Sequence, residues 1–300
     1  MTLPECFYLP LERDLLRLTG RDRQSFLQGM VTNEIASLTP GQGCYAFHLT
    51  SKGQILADCR VACLEDSLLI DTEPGWGTPL AESLDHHLVM ERVKITPLTG
   101  ILSTFVGGEE AEEILRGLQL LPEPGEGSNV TQSFVGQQVI VVRTHWIAGT
   151  GFMIYASAET MAIVHDSAGE LLDSAVFEGL RIEAGIPKGR VDFDEKTLAP
   201  ETGQASRAIH YKKGCYIGQE VVARIDARGH TNRGFVRLTL DALVAPGTKL
   251  YTDGKEVGWL TSVAPGPTLG EPRALGYLRN EFAAPGTQVA VGESGMGVVV

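Results

Sequence analysis

Cys215 heads the residues able to do chemistry. The stretch KKGCYIGQEVVAR, residues 212–224, sets it among Lys212, Lys213, Gly214 and Gly218 and follows it with Gln219 and Glu220. Downstream, EVVARIDARG has the period of a short helix, with Val221, Val222 and Ile225 on one side and Arg228-Gly229 as a C-terminal stop. That reading predicts Cys215 just before a helix N-terminus, where free N–H groups favour an anion, and beside the Lys213 ammonium. Both effects lower a thiol pKa, so the expected chemistry is that of a thiolate, nucleophile or soft-metal ligand, with Lys213 as its electrostatic partner. A buried, inert cysteine is the alternative. A Cys–His pair with His210 or His230 as base is a third option, and spacing alone pairs neither with Cys215.

Charge sharpens the picture. Between Gln204 and Gly234, six basic residues (Arg207, Lys212, Lys213, Arg224, Arg228 and Arg233) stand against Glu220 and Asp226, a local +4 in a chain whose formal net charge is -12. The overall acidity disfavours non-specific binding to nucleic acid or anionic membrane, because such binding needs clustered Lys and Arg. An anion site must therefore be local, unless the island is a solvated surface paired with neighbouring carboxylates. The start, MTLPECFYLPLERD, shows no basic region followed by an apolar core, and no run approaches the roughly 18 apolar residues of a membrane helix, so a cytoplasmic protein is expected. Five cysteines without a Cys-x-x-Cys pair predict no disulfides. Cys59 and Cys63 share one face if their segment is a strand, which reads as small apolar filler rather than a metal site.

The elements that must position these residues form three groups. From Leu15 to about Val106, strand-like runs (LLRLTG, CYAFHL, QILADCRVACL, SLLIDTE, RVKITPL) surround two helical patterns, RDRQSFLQGM and AESLDHHLVMERV. A second round follows, from ILSTFVG through the acidic helix EEAEEILRGLQ and three strands to a long helix, TMAIVHDSAGELLDSA. From Gly234 onward, short β-rich runs separated by Pro and Gly predict a small barrel or sandwich. The expected division is 1–106, 107–230 and 231–300, of α+β class.

Lys213-Gly214-Cys215-Tyr216-Ile217-Gly218-Gln219-Glu220 resembles the K-G-C-Y-x-G-Q-E signature of the YgfZ family of folate-binding proteins, in the superfamily of the glycine-cleavage aminomethyltransferase, or T-protein. GRDRQSFLQGMVTNEI, SKGQILADCRV and LRIEAGIPKG resemble further superfamily segments in the same order, so the resemblance spans nearly the whole chain. It implies two ferredoxin-like units forming a central folate-sized cleft, covered by a C-terminal β-barrel. It also implies tetrahydrofolate or a derivative as ligand, with Asp58 as a cleft carboxylate and Arg181 as partner of a folate carboxylate; a salt bridge from Arg181 to Glu183 or Glu201 is the structural alternative. Gly214 and Gly218 would permit tight turns beside the ligand, within a motif completed by Tyr216, Gln219 and Glu220. Where the transferase pattern has two glutamates, this chain has Gly149 and Met153; Ala57-Asp58 stands for paired aspartates and Phe177-Glu178 for an Arg-Asp pair. Those departures weaken aminomethyl transfer, leaving a tetrahydrofolate-dependent aminomethyl or other one-carbon transferase as the alternative. The resemblance then implies a factor supporting assembly or repair of iron-sulfur enzymes, and indirectly tRNA modification, through Cys215, with a transient iron or iron-sulfur contact at the thiol. Partners would be folate and client iron-sulfur proteins, without direct nucleic acid or membrane binding and without a resident metal.

Overall fold

The computed structural model describes residues 2–134, 136–268 and 270–300. The chain begins with β1 (Phe7–Pro10), β2 (Asp14–Thr19), α1 (Arg23–Met30), β3 (Gly43–Leu49), β4 (Ile55–Cys63), β5 (Ser67–Thr72), α2 (Gly77–His86) and β6 (Lys94–Pro97). It continues through β7 (Leu102–Gly107), α3 (Ala111–Gly117), β8 (Asn129–Phe134), β9 (Gln137–Thr144), β10 (Gly151–Ala156), α4 (Ala158–Ala168), β11 (Glu170–Leu171) and α5 (Ser174–Ala184). Two helices, α6 (Ala205–Ala208) and α7 (Gln219–Arg228), precede β12 (Arg233–Leu240), β13 (Lys249–Thr252), β14 (Lys255–Ala264), β15 (Arg273–Arg279), β16 (Gln288–Val291) and β17 (Gly295–Val299).

The strands make a five-stranded sheet in the order β3-β4-β5-β2-β6, a six-stranded sheet in the order β11-β1-β7-β10-β9-β8, and a closed barrel, β12-β15-β14-β13-β16-β17. The class is α+β with a C-terminal barrel, as the resemblance implies. The layout of the chain differs from the expected division in two places. Strand β1 pairs with β7 and β11, so the first strand lies in the second sheet. The segment carrying Cys215 packs on the first unit, since Ile209, Tyr216 and Val222 join the core of the first sheet. Both follow from long-range hydrogen bonding that no local pattern encodes.

Two helices also differ from their sequence patterns. The long pattern at 160–175 breaks at Gly169, whose φ of 83° lies in a region other residues avoid, and α5 restarts at Ser174 behind the Asp173 cap. Helix α2 stops at His86, leaving Val89 and Met90 exposed on a turn held by the Glu91 carboxylate. His86 and His87 are both exposed.

Strand alternation decides what fills each layer. On β4, Ala57, Cys59, Val61 and Cys63 point into the core under α1 and α2, with the cysteines as apolar filler. The intervening residues of β4 and β5 face the other sheet, across a seam built from Leu15, Leu69, Phe7, Phe105, Met153 and Phe177. Helix α5 binds the barrel through Arg181, whose side chain is 1% exposed and pairs with Asp192 at 2.8 Å and Glu178 at 2.9 Å. The same guanidinium donates to Ser262 on β14 and to the Ile186 carbonyl.

Arg181→Met would strand Asp192 without its cation, and loss of one partner from a buried pair costs about 3–5 kcal/mol. Chemical denaturation should show a loss of that order, whereas the exposed substitution Arg224→Met should stay within about 0.5 kcal/mol.

Candidate functional site

The strands bring a charged cluster into the seam. Asp58 and Arg60 alternate on β4, and Arg60 lies directly opposite Asp71 in the β4–β5 register. Arg13, from the turn before β2, pairs with Asp71 at 2.5 Å and with Glu73 at 2.6 Å; all three side chains are at most 3% exposed. Arg60 pairs with Asp58 at 3.1 Å. Asp58 also accepts from the Tyr45 hydroxyl and from Thr72. Tyr155, on β10 of the other sheet, donates to Asp71 and thereby links the two units. Arg60 lies 4.0 Å from the centre of the Trp146 ring and Arg13 lies 5.0 Å from it. Three carboxylates thus share two guanidinium groups. Burial pushes the Glu73 carboxyl up, while Arg13 pulls it down less strongly.

The cluster opens onto a cavity of about 230 Å³ whose walls include Arg13, Glu73, Trp146, Phe177, Glu178 and Lys188. Among the described residues, Trp146 Nε1, Arg13 Nη2 and Arg60 Nε are buried in the cluster without a hydrogen-bond partner, and Trp146 and Arg13 are themselves lining residues of the cavity. Buried donors are usually satisfied, so these are free to take acceptors that a ligand in the cavity would supply. A second cavity of about 200 Å³ lies toward the barrel, among Arg190, Lys196, Arg233, Trp259 and Tyr277. Arg190 joins its edge to the first cavity by donating to the Pro74 carbonyl at 3.1 Å.

The structure assigns the expected residues unequal places. Asp58 is 1% exposed and belongs to the cluster. Arg181 spends its donors on Glu178, Asp192, Ser262 and the Ile186 carbonyl, so its ion-pair partners are neither the folate carboxylate nor the Glu183 or Glu201 of the expectation. Its position inside the α5–barrel contact, with four acceptors already converging on it, is the physical reason. Glu201 pairs instead with Arg233. Phe177 packs in the seam and Met153 is fully buried beside Phe105, whereas Gly149, with a φ of 86°, is exposed on the loop before β10.

The signature segment folds around Lys213. Its ammonium is buried and donates to the carbonyl oxygens of Gln28, Val31 and Asn33 at 2.7, 2.6 and 2.6 Å, at the end of α1. Three N–H donors meet three acceptors, and the partial negative charge at a helix C-terminus adds to the attraction. Ile217 N–H bonds the Gly29 carbonyl and His210 N–H bonds that of Thr32, so the whole segment is pinned to the same turn. Tyr216 packs beneath, its ring 5.2 Å from the Lys213 ammonium. Burial pulls Lys213 down from 10.5 to about 8, with Glu34 and then Cys44 acting in the opposite direction.

Lys213 therefore turns inward while Cys215 is exposed between α6 and α7, three residues ahead of the Gly218 cap. Gly218 needs its hydrogen side chain: φ is 82°, and a Cβ would lie 2.6 Å from the Thr50 carbonyl. At Gly214 a Cβ would meet nothing within 4 Å. Gln219 opens α7, and exposed Glu220 pairs with Arg224. The basic island disperses in three dimensions. Arg207 pairs with Glu126, Arg233 with Glu201, and Lys213 is buried, leaving Lys212, Arg224 and Arg228 exposed. Among the described residues no group of three or more His, Cys, Asp or Glu could hold a metal ion.

Arg13, Arg60, Asp71, Glu73, Trp146 and Tyr155 escaped the sequence reading. The available signal was charge at alternate positions of strands that are otherwise continuously apolar, DCRVACL and SLLIDTE.

Comparison with known proteins fits this layout. The GCVT N-terminal domain matches residues 14–213, and the glycine cleavage T-protein C-terminal barrel domain matches 233–298. The chain belongs to the glycine-cleavage T-protein family. Its relatives include a chloroplastic protein of Arabidopsis thaliana named as a transferase, 28% identical over 95% of this chain and 67% of that one. The tRNA-modifying protein YgfZ of Yersinia pseudotuberculosis is 29% identical over 82% of this chain and 72% of its own. That of Vibrio vulnificus (strain CMCP6) is 28% identical over 75% and 67%. The crystal structure of the glycine cleavage system aminomethyltransferase T from Bartonella henselae superposes with a TM-score of 0.86 at 21% identity, covering 99% of this chain and 85% of that one, which establishes the shared T-protein fold.

Lys213 yields a signed pH prediction. Its folded pKa lies below its unfolded one, so between about 8 and 10.5 the unfolded chain holds the extra proton and stability rises with pH. Lys213→Met lacks this contribution and leaves three carbonyls unpaired, each at a cost of about 1–3 kcal/mol. Urea titrations should show the variant less stable at pH 7, with the gap to wild type widening from pH 8 to 10.

Proposed function

We propose that this protein binds a reduced folate in the cavity walled by Arg13, Glu73 and Trp146, and that exposed Cys215 serves the assembly or repair of iron-sulfur enzymes, with tRNA modification as a downstream effect. The observation that carries the folate half is the pair of buried, unpartnered donors, Arg13 Nη2 and Trp146 Nε1, on residues that line a cavity also holding carboxylates. A pterin ring fits that set: its carbonyl oxygen accepts from such donors, and its ring and exocyclic N–H groups donate to carboxylates such as Glu73. The flat ring suits walls of Trp146 and Phe177. Arg190, Lys196 and Arg233 around the second cavity suit the carboxylates of the glutamyl tail. Family membership and relatives named as tRNA-modifying proteins support the same reading.

Bound folate would supply a one-carbon unit or a redox-active pterin. The protein's part is to hold the ring between the two units, exclude water through the packed seam, and present the thiol on a rigid turn. Cys215 is exposed and lines neither cavity, so the accessible reactant for its sulfur is another macromolecule. A thiol that yields its proton becomes a soft ligand for iron carried by a client. The alternative, aminomethyl transfer, is disfavoured because both positions of the transferase glutamates lack a carboxylate, Gly149 on an exposed loop and Met153 in the core.

Calorimetry with tetrahydrofolate and 5-formyltetrahydrofolate should show binding, and its absence at millimolar ligand overturns the folate assignment. Cys215→Ser should bind folate as wild type does and melt within about 2 °C of it, the expectation for an exposed side chain. In cells lacking the native protein, that variant should fail to restore an iron-sulfur enzyme such as a tRNA methylthiotransferase; full rescue overturns the thiol's role.

A further inference from the structure

We propose that the cavity selects among folates by charge, favouring a form whose ring system is cationic, such as 5,10-methenyltetrahydrofolate, over neutral reduced folates. The inference rests on the folate reading above and concerns which form the site takes.

The argument is one of charge balance. Glu12, Glu73 and Glu178 line the cavity against Arg13 and Lys188. Immediately behind, Asp58 and Asp71 share Arg60 and the same Arg13. With every group ionised, five carboxylates face three cations. Adding the neighbouring Arg181–Asp192 pair leaves the excess unchanged.

One charge of that excess is buried, Asp58, Asp71 and Glu73 against Arg13 and Arg60, whereas Glu12 stands on the exposed rim. Glu73 is 3% exposed, and its carboxyl is held above the usual carboxylate range by desolvation. Glu178 is the contrary case: Arg181 and Lys188 keep it below that range, so it stays ionised on the wall. The buried cluster is therefore short of one positive charge, beside its unpartnered donors. A neutral pterin satisfies Arg13 Nη2 and Trp146 Nε1 but leaves the Glu73 carboxylate undercompensated. The methenyl bridge between N5 and N10 carries a delocalised positive charge on the same skeleton, and its attraction to a buried carboxylate is little screened. The tail carboxylates do not oppose this preference, because they are common to every form compared.

The probes are 5,10-methenyltetrahydrofolate and 5-formyltetrahydrofolate, which share the pteridine and the tail and differ in the N5–N10 bridge and its charge; a Glu73 variant separates charge from shape. Stopped-flow quenching of tryptophan fluorescence at neutral pH, read before the methenyl ring hydrolyses, gives both affinities on the intact protein. The methenyl form should bind about tenfold tighter or more, as expected for one partly screened charge contact. Glu73→Gln, which keeps shape and removes charge, should weaken the methenyl form more than the 5-formyl form and so shrink that ratio at least about threefold. Should that variant fail to fold, Glu12→Gln on the exposed rim should shrink the ratio in the same direction. Equal affinities in the wild type, or a ratio untouched in a folded variant, overturn the charge selection and leave folate binding standing. Binding of neither probe overturns the folate reading, and this one with it.

Discussion

Two guanidinium groups holding three carboxylates in the seam between the sheets are the constraint around which this fold is arranged. Isolated charges at that depth would cost several kcal/mol each, so every one has to meet a partner. Arg13 meets Asp71 and Glu73, Arg60 meets Asp58, and Tyr155 reaches across from the second sheet to Asp71. Because partners come from both units, the relative placement of the sheets is set by hydrogen-bond geometry as well as by apolar packing. The residual mismatch, more carboxylates than cations and two donors without acceptors, sits where the seam opens into a cavity.

The signature segment obeys a different constraint. An ammonium with three donors is best satisfied by three convergent acceptors, and the C-terminal turn of α1 provides them. Lys213 takes that place and ties residues near 213 to residues near 30. A single buried cation thus organises the turn on which Cys215 is displayed. The seam and the turn share the first sheet: β3 packs under α6 through the core containing Ile209 and Tyr216, and β4 carries Asp58 and Arg60 on its opposite face.

Much of the architecture was legible in the chain itself. Alternating and continuous apolar runs located most strands, the Pro and Gly spacing after Gly234 marked the barrel, and the signature and superfamily segments pointed to the T-protein family. Local signals also account for the elements that differ. Gly169 interrupts what looked like one helix, and FYLP is too short and Pro-terminated to announce a strand, although β1 completes the second sheet.

What the sequence by itself determined was the inventory: a thiol beside two lysines, a basic island in an acidic chain, and charged residues at alternate positions of apolar strands. Tertiary structure alone decided which of these meet. Two neighbours in sequence, Lys213 and Cys215, part company, one drawn inward by carbonyls about 180 residues earlier and the other left in solvent. The six basic residues scatter because Arg207, Arg224 and Arg233 each meet a carboxylate, Lys213 meets carbonyls, and Lys212 and Arg228 stay in solvent. Asp58 and Arg60 of β4, by contrast, converge with Asp71 of β5 and with Arg13 and Glu73 at the ends of β2 and β5. Side-chain direction along a strand is local and readable from its period of two; the identity of the facing partner depends on sheet order and register, which long-range pairing settles.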